Sequence, residues 1–267
     1  MRDILGYQGK CVVVTGAASG MGAAAARTLV DLGAEVHALD VRAIEAPVKQ
    51  AIACDLSRRD SIDAALAGLP GRVDALFNCA GLPGPPFSNL DTTLVNFVGL
   101  RHLTEGLVPR IPEGGAIASI TSVAGMGWQK NLENVKALVA TPDFGAGRAW
   151  LESHERENNG YLFSKQCIVY YTKKRSVELV ERRIRMNCLS PAPTDTPMLP
   201  AFHKQVSKDF LEQHFLAPIG RNATPEEMAE PLVLLNSNAA RFVSGQNLMV
   251  DWGYVASVEV GARPALL

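Results

Sequence analysis

The stretch "CVVVTGAASGMG", residues 11–22, decides the fold. Its first four residues are apolar and residues 12–15 are β-branched, which is typical of a strand buried on both faces. A glycine-rich turn follows at once, and residues 21–32 have the composition of a helix. A strand, a glycine turn and a helix in this order predict the first half of a βαβ unit, with a turn whose backbone can approach a phosphate group.

The same alternation continues along the chain. Six further short apolar runs are predicted strands, at 35–39, 51–54, 74–78, 116–120, 185–190 and 247–251. Helices are predicted over 21–32, 58–68, 88–110, 158–182 and 225–237, the last with Thr224 as its N-cap. Apolar strands that alternate with helices predict an α/β fold: a single-domain, doubly wound (Rossmann) parallel sheet of about seven strands with helices on both faces. We assign residues 1–267 to this one domain because the sequence contains no repeat or linker.

Composition excludes several classes of protein. The 267 residues carry a formal net charge of −1 without a basic stripe, so a nucleic-acid partner is not expected. The sequence contains no Cys/His cluster with metal-ligand spacing, so no metal is predicted, and the five cysteines are interpreted as buried free thiols. No signal peptide and no apolar run of membrane-spanning length is present, which predicts a soluble, cytoplasmic protein.

An acidic residue follows the glycine turn at a spacing of about twenty residues. The second predicted strand ends at Asp40, twenty residues after Gly20. A carboxylate there accepts hydrogen bonds from both ribose hydroxyls of an adenosine and repels a 2′-phosphate, which predicts NAD in preference to NADP. Arg42 lies close enough in sequence to weaken that preference.

The stretch "NGYLFSKQC", residues 159–167, places Tyr161 and Lys165 four residues apart in a predicted helix. Side chains at this spacing always meet on a helix, so the pair alone favours an ordinary surface contact over a proton-transfer centre. The glycine turn, Asp40 and the motifs described next favour the second interpretation.

Six motifs, in order and over nearly the whole chain, resemble those of the classical short-chain dehydrogenase/reductase family. They are "TGAASGMG" (15–22), "CDL" (54–56), "NCAG" (78–81), "LVNFVG" (94–99), "SITSVAG" (119–125) and "YLFSK" (161–165), followed by "SPAPTDT" (190–196) as the counterpart of the nicotinamide loop. The resemblance implies a catalytic tetrad of Asn96, Ser122, Tyr161 and Lys165. It implies cofactor contacts at Gly16, Ser19, Gly20, Met21, Gly22, Asp40, Asp55, Leu56, Asn78, Ala80, Gly81, Tyr161, Lys165, Pro191, Thr194 and Thr196.

The chemistry explains these residue types. A free tyrosine has a pKa near 10 and is a poor base at neutral pH, so we expect the ammonium of Lys165 and the nicotinamide ring to lower the pKa of Tyr161. Ser122 is expected to hold the substrate oxygen, and Asn96 a water that links Lys165 to solvent.

Three residues depart from the family pattern. Cys79 replaces the second asparagine of N-N-A-G, and Ala192 replaces the glycine of the nicotinamide loop, where it would restrict the backbone. Trp252 stands where the family usually has the first glycine of D-G-G. None of the three removes a predicted catalytic group.

The segment between Ser122 and Tyr161 is long, since 161 − 122 = 39. Residues 126–158 form an insertion expected to contain a short helix, and such an insertion resembles the bacterial 3α-hydroxysteroid dehydrogenase/carbonyl reductase and coniferyl-alcohol dehydrogenase branch. Residues 193–223 are expected to form a loop or helical lid over the substrate. Predicted substrate contacts are Trp128, Met198 and Phe202, with Phe210 and Phe215 as further aromatic candidates; for any single aromatic residue, packing in the core is the more common role.

The sequence as a whole predicts an NAD-dependent alcohol dehydrogenase or carbonyl reductase acting on a hydrophobic aromatic or alicyclic alcohol, as a homodimer or homotetramer. Its insertion is expected to cover the helix that many relatives use for assembly. The alternative is a non-catalytic dinucleotide-binding redox sensor or scaffold, which predicts a damaged tetrad. The sugar-nucleotide epimerases share the tyrosine and lysine spacing, but they generally need a larger C-terminal domain than this chain provides.

Overall fold

The seven predicted strands form one parallel sheet in the computed structural model, which describes residues 3–205, 210 and 218–263. The strands are β1 (Cys11–Thr15), β2 (Glu35–Asp40), β3 (Gln50–Ala53), β4 (Ala75–Asn78), β5 (Ala116–Ile120), β6 (Arg185–Pro191) and β7 (Asn247–Val250). Their order across the sheet is β3-β2-β1-β4-β5-β6-β7. The chain therefore runs outward from β1 to β3 and returns to the other side of β1, which puts the topological switch point between the carboxyl ends of β1 and β4.

Both faces of the sheet are covered, as the unbroken apolar strands predict. Along β1, Val13 packs into one core, while Val12 and Val14 pack into the other. The fold is thus a single α/β domain of the doubly wound, Rossmann type.

The helices lie close to their predicted positions. They are α1 (Gly20–Asp31), α2 (Arg59–Gly68), α3 (Asn89–Thr93), α4 (Leu100–Leu107), α5 (Leu132–Val139), α6 (Phe144–Ser153), α7 (Tyr161–Glu178), α8 (Leu199–Gln205), α9 (Pro225–Asn236) and α10 (Tyr254–Glu259). The predicted cap of α9 is confirmed: the Thr224 hydroxyl accepts a hydrogen bond from the amide of Glu227, whose side chain accepts one from the amide of Thr224. The helix predicted over 88–110 is divided by a π-helical segment, Leu94–Gly99.

The insertion holds more structure than the sequence indicates. Instead of one short helix, residues 126–158 contain α5, α6 and the 3₁₀ turn Trp128–Asn131. The guanidinium of Arg101, on α4, is buried beneath it and donates hydrogen bonds to the carbonyl oxygens of Leu138, Val139 and Asp143 and to the hydroxyl of Thr141, over distances of 2.8 to 3.1 Å. The insertion is therefore fixed to the body of the domain.

The region predicted as a substrate loop is described in part. It contains α8, while residues 206–209 and 211–217, which include the candidate Phe215, lie outside the described residues. Phe210 is described and is 38% exposed.

The cysteines only partly match their prediction. All five are free thiols; Cys54, Cys167 and Cys188 are buried, but Cys11 and Cys79 are partly exposed. Cys79 ends up at the open switch point rather than inside the core, because it follows the last residue of β4. Within the described ranges, no helix is long and apolar enough to cross a membrane.

Candidate active site

The backbone of the glycine turn is packed so closely that it leaves no room for side chains. Gly16 and Gly20 have φ values of +68° and +56°, a region that disfavours side chains. A Cβ on Gly16 would lie 2.7 Å from the backbone nitrogen of Ala80, and one on Gly22 would lie 2.2 Å from the carbonyl oxygen of Gly16. The turn thus packs backbone against backbone at the switch point.

The start of α1 leaves its first amide groups open to an anion. Ser19, the N-cap residue, makes no side-chain capping hydrogen bond, and the first turn contains no acidic residue. Unbonded N–H groups at a helix N-terminus are a general binding site for phosphate. This arrangement fits the pyrophosphate of a dinucleotide.

Asp40 lies beside this turn, at the end of β2. Its carboxylate is nearly buried and accepts hydrogen bonds from the amides of Ala18 and Arg42, each over 3.0 Å. The Arg42 guanidinium lies 3.6 Å from the same carboxylate and donates a hydrogen bond to the hydroxyl of Ser19. The carboxylate suits ribose hydroxyls, and an exposed cation stands next to it.

Tyr161 and Lys165 form the first turn of α7. The lysine Nζ lies 5.3 Å from the centre of the tyrosine ring and donates a hydrogen bond of 3.1 Å to the carbonyl oxygen of Ile120. Lys165 is 4% exposed, and its burial lowers the pKa of the ammonium to about 8. The ammonium is therefore fixed beside the phenol, and it loses its proton at a lower pH than an exposed lysine does.

Ser122 joins this pair from the end of β5. The site alone does not lower the pKa of Tyr161 as expected from Lys165: burial raises it, and a hydrogen bond with Ser122 opposes the increase. The physical reason is that a phenolate loses more hydration at this buried position than the neighbouring groups replace.

Asn96 lies within the π-helical segment and is fully buried. Its side chain accepts a hydrogen bond of 2.6 Å from the amide of Leu82 and donates one of 3.0 Å to the carbonyl of Leu82. A third hydrogen bond, of 3.2 Å, runs from its Nδ2 to the hydroxyl of Ser164 on α7. A π-helical turn is common at functional sites because it redirects one side chain without ending the helix.

Residues Gly81 and Lys165 lie close to Asn96. A Cβ on Gly81 would lie 3.3 Å from Asn96 Oδ1 and 3.9 Å from Lys165 Nζ. The structure thus brings Asn96, Ser122, Tyr161 and Lys165 to the same end of the sheet as the glycine turn, which follows β1, two strands away from β5.

The remaining predicted cofactor residues fall into two groups. Gly81, Ala80 and Asp55 lie partly exposed at the carboxyl ends of β4 and β3, whereas Leu56 is buried in the core. Asn78 is 1% exposed, and its amide donates hydrogen bonds to the hydroxyls of Thr104 and Ser119 inside the fold. The Nδ2 of Asn78 is therefore committed to internal partners, while its Oδ1 is buried and accepts no hydrogen bond from the described residues.

The predicted nicotinamide loop runs on from β6, which ends at Pro191. Among the described residues other than glycine, only Arg183 and Trp252 have positive φ, so alanine at position 192 causes no backbone strain. Thr194 is buried and donates a hydrogen bond to the Ala192 carbonyl over 2.8 Å. The methyl group of Thr196 lies 3.1 Å from where a Cβ on Gly20 would be, so the loop closes over the glycine turn.

The predicted substrate residues lie in two different places. Phe202, on α8, packs edge-on against the Tyr161 ring at a centroid distance of 5.0 Å, and Met198 is half-buried just before α8. Trp128 instead packs on Tyr170, with ring centres 5.5 Å apart. Tyr170 is nine residues after Tyr161, about 13 Å along α7 and on its opposite side. The observed contact of Trp128 is therefore packing of the insertion.

Three buried polar residues around the tetrad were not predicted as site residues from the sequence. These are Thr93, Asn158 and Ser164. The run Asn158–Asn159–Gly160 is a turn signal that the residue types alone could have revealed, but its tertiary partners lie far away in sequence.

Comparisons with known proteins agree with this geometry. Residues 10–133 match the family described as short chain dehydrogenase, and residues 149–255 match the family described as enoyl-(acyl carrier protein) reductase. Coniferyl-alcohol dehydrogenase of Pseudomonas sp. (strain HR199 / DSM 7063) is 33% identical over 250 residues, which cover 93% of this chain and 97% of that protein. The 3-alpha-hydroxysteroid dehydrogenase/carbonyl reductase of Comamonas testosteroni is 30% identical, covering 91% of this chain and 95% of the relative.

A solved structure shows the same fold throughout. The 3-alpha-hydroxysteroid dehydrogenase from Pseudomonas sp. B-0831, complexed with NADH, superposes with a TM-score of 0.79 at 27% identity, covering 96% of this chain and 100% of that one. The motifs, the sheet order and these relatives agree, and the chain belongs to the short-chain dehydrogenase/reductase family, in the branch of the coniferyl-alcohol and 3α-hydroxysteroid dehydrogenases.

Proposed function

We propose that this oxidoreductase interconverts a hydrophobic alcohol and its aldehyde or ketone with NAD, using Tyr161 as the acid/base. The observation that supports this most directly is the cluster at the first turn of α7. There the phenol of Tyr161 meets Ser122 and a buried lysine. A redox sensor or scaffold would not require this set of groups.

The role of each residue follows from its contacts. When bound, oxidised NAD supplies the hydride acceptor and a positive ring that favours the phenolate of Tyr161. Tyr161 takes the proton of the substrate hydroxyl during oxidation and donates it to the carbonyl oxygen during reduction. Ser122 holds the same oxygen, and Lys165 keeps a positive charge near the phenolate while it is protonated. Because the Asn96 side chain is bonded to Leu82 and Ser164, the water that links Lys165 to solvent would be held by the main chain of Asn96.

The dinucleotide site favours NAD. Members of the family bind a nicotinamide dinucleotide, and the turn, α1 and Asp40 of this chain fit one. A carboxylate at the end of β2 attracts the ribose hydroxyls and repels a 2′-phosphate. Arg42 reduces the repulsion, so we expect a preference for NAD with measurable use of NADP.

The substrate is proposed to be an aromatic, coniferyl-type alcohol or a hydroxysteroid. The face of Tyr161 next to α8 is apolar because Phe202 covers it edge-on. The names of two relatives point to these substrate classes. Residues 193–223 would form the substrate loop, and the insertion 126–158 would border it. A substrate contact by Trp128 remains a prediction.

The active form is proposed to be a homodimer or homotetramer. Family members act on small molecules and commonly form oligomers. In this chain α5 of the insertion packs on α7, so association would have to use another surface.

A spectrophotometric screen of NADH formation tests the activity. Coniferyl alcohol, a 3α-hydroxysteroid and cyclic alcohols are offered with NAD, and turnover of at least one is expected. Tyr161→Phe should reduce turnover by about 10² to 10⁴-fold, because it removes the proton carrier, while the affinity for NADH stays nearly unchanged. Tight binding of NADH by the parent without turnover of any compound would favour the redox sensor. Full activity of Tyr161→Phe would reject Tyr161 as the acid/base.

A further inference from the structure

A buried hydrogen-bonded link joins the end of the insertion to helix α3. The hydroxyl of Thr93, the last residue of α3, donates to Asn158 Oδ1 over 2.7 Å. The same oxygen accepts a second hydrogen bond, of 3.0 Å, from the amide of Gly160. Thr93 is 0% exposed and Asn158 is 2% exposed, so water cannot replace either bond without opening the fold.

Gly160 makes this connection unusually tight. Its φ of +64° and ψ of −104° are accessible essentially to glycine alone. A Cβ at this position would lie 2.6 Å from Asn89 Oδ1 and 3.2 Å from the Asn89 Cα, one turn before Thr93 on α3. The chain therefore enters α7 in contact with α3, in a conformation that the neighbouring backbone fixes.

Both ends of the link lead directly to predicted catalytic residues. Tyr161 is the residue after Gly160 and the first of α7, and Asn96 lies three residues after Thr93, in the π-helical segment. A second contact runs parallel to the link: Asn96 Nδ2 donates to the Ser164 hydroxyl, which itself donates to the carbonyl of Tyr161 over 2.7 Å. One face of α3 and the π-helical segment thus holds the first turn of α7 at two points.

We propose that Thr93 and Asn158 are positioning residues, which set the location of the Tyr161 hydroxyl relative to Ser122 and Asn96. This proposal rests on the proposed function of Tyr161. It assigns the end of the insertion a role in the chemistry, besides any contact of the insertion with substrate. Neither residue needs to touch the substrate or the cofactor to act in this way.

Matched substitutions in α3 separate positioning from stability. Thr93→Val removes the donor at nearly constant volume, whereas Thr93→Ser keeps it. Thr92→Val is the control, because Thr92 is equally buried but its hydroxyl donates only within its own helix, to the carbonyl of Ser88. With a substrate that the parent turns over, Thr93→Val should lower kcat about 10- to 100-fold, with KM and the Kd for NADH changed less than about two-fold. Thr93→Ser should restore most of the parent kcat.

A second variant tests the other partner. Asn158→Leu should reproduce the loss of kcat, and the double variant with Thr93→Val should lose no more than either alone, because both remove one link. The proposal would be overturned if Thr93→Val and Asn158→Leu both had the same kcat as Thr92→Val. It would also be overturned by losses that multiply in the double variant.

A titration of the phenol distinguishes failure of this proposal from failure of the proposed function. The difference in phenolate absorbance between each protein and its Tyr161→Phe counterpart isolates the titration of Tyr161. Lys165, the charged neighbour of the phenol, is the same in all variants. Thr93→Val should raise the pKa of Tyr161, since the hydrogen bond from Ser122 that lowers it would be weakened. If the parent turns over no substrate, the proposed function is rejected, and the titration alone tests the role of Thr93 and Asn158. A titration curve of Tyr161 that is unchanged in Thr93→Val would then exclude this role.

Discussion

At the scale of single residues, cofactor choice depends on two opposite charges 3.6 Å apart, Asp40 and Arg42. Asp40→Asn should remove the repulsion of a 2′-phosphate and shift the ratio of kcat/KM values toward NADP by about ten-fold or more, which is about 1.4 kcal/mol. Arg42→Ala should shift the same ratio toward NAD. Steady-state kinetics with both cofactors measure the two changes, and equal shifts in one direction would contradict the assignment.

Lys165 predicts a dependence of stability on pH. Its pKa is lowered to about 8 in the folded protein, while an unfolded lysine has a pKa near 10.4. Between these values the unfolded chain binds more protons, so the contribution of Lys165 to the free energy of unfolding increases with pH. The difference between the two pKa values corresponds to about 3 kcal/mol.

The comparison with Lys165→Met isolates this contribution, because the buried thiols and phenols act in the opposite sense at high pH. Denaturant titrations of both proteins, each without cofactor, should show the parent gaining stability relative to the variant from about pH 8 to about pH 10.5. A constant difference over this range would show that the ammonium is not buried in solution.

Residue-level prediction succeeded where one side chain has one local role. The spacing of Tyr161 and Lys165 predicts that their side chains meet on one helix, and the structure shows this contact in the first turn of α7. The pKa of Tyr161 could not be predicted in this way. The direction of its shift depends on the burial of the phenol, and no spacing in the sequence contains that information. Asn78 illustrates the same limit, since its partners Thr104 and Ser119 are brought to it only by the packed sheet.

At the scale of elements, the insertion is held by one buried guanidinium. Arg101 donates to four oxygens at the end of α5 and in the segment between α5 and α6, and it lies 5.6 Å from the centre of the Phe97 ring. Arg101→Met should therefore leave several buried carbonyl oxygens without donors and lower the free energy of unfolding by about 3 kcal/mol or more.

Hydrogen exchange should locate this loss. Amides of α5 and α6 are expected to exchange faster in Arg101→Met, while those of β1 and β4 stay protected. The control is Arg148→Met on α6, which loses only an exposed pair with Glu152 and should change stability by less than about 0.5 kcal/mol. Unchanged exchange in α5 and α6 would show that apolar packing alone holds the insertion.

The elements themselves were predictable because each has a local cause. Strand β5 was predicted to the residue, and the start of α9 follows from Thr224 and Pro225. The π-helical segment was not predicted, since residues 94–99 have ordinary helical composition and the extra residue per turn arises where Asn96 reaches Leu82. The insertion's two helices exceeded the prediction because Asp143, the N-cap of α6, was not recognised as a second helix start.

At the scale of the whole molecule, we expect the proposed oligomer to form through the β7 edge of the sheet. Among the described residues this strand pairs with β6 alone, and Leu248 on it and Leu234 on α9 are 36% and 44% exposed. Exposed apolar side chains next to an unpaired strand edge are typical of a subunit contact. We therefore expect Leu234→Lys with Leu248→Lys to dissociate the oligomer.

Sedimentation velocity measures the outcome. The matched control is Ile4→Lys, at a position that is 62% exposed and lies before β1, and it should leave the oligomer intact. A monomeric parent would reject the oligomer itself. A double variant that sediments like the parent would place the contact on another surface.

The sheet order shows why the whole fold was more predictable than its surface. The parallel, doubly wound sheet follows from the βαβ pattern and the handedness of its crossovers, which are properties of the chain read in sequence. The exposure of Leu234, or the packing of Trp128 on Tyr170, depends on which elements become neighbours, and neither residue type nor spacing specifies that.

The position of Tyr161 as the first residue of the 18-residue helix α7 has a further electrostatic consequence. The aligned peptide dipoles of a helix place about half a positive elementary charge at its N-terminus. This field favours the phenolate of Tyr161 and disfavours the ammonium of Lys165, so it pulls the pKa of both groups down, against the effect of burial for the tyrosine and with it for the lysine. The macrodipole comes from backbone alone, and it remains in place whichever cofactor or substrate occupies the cleft.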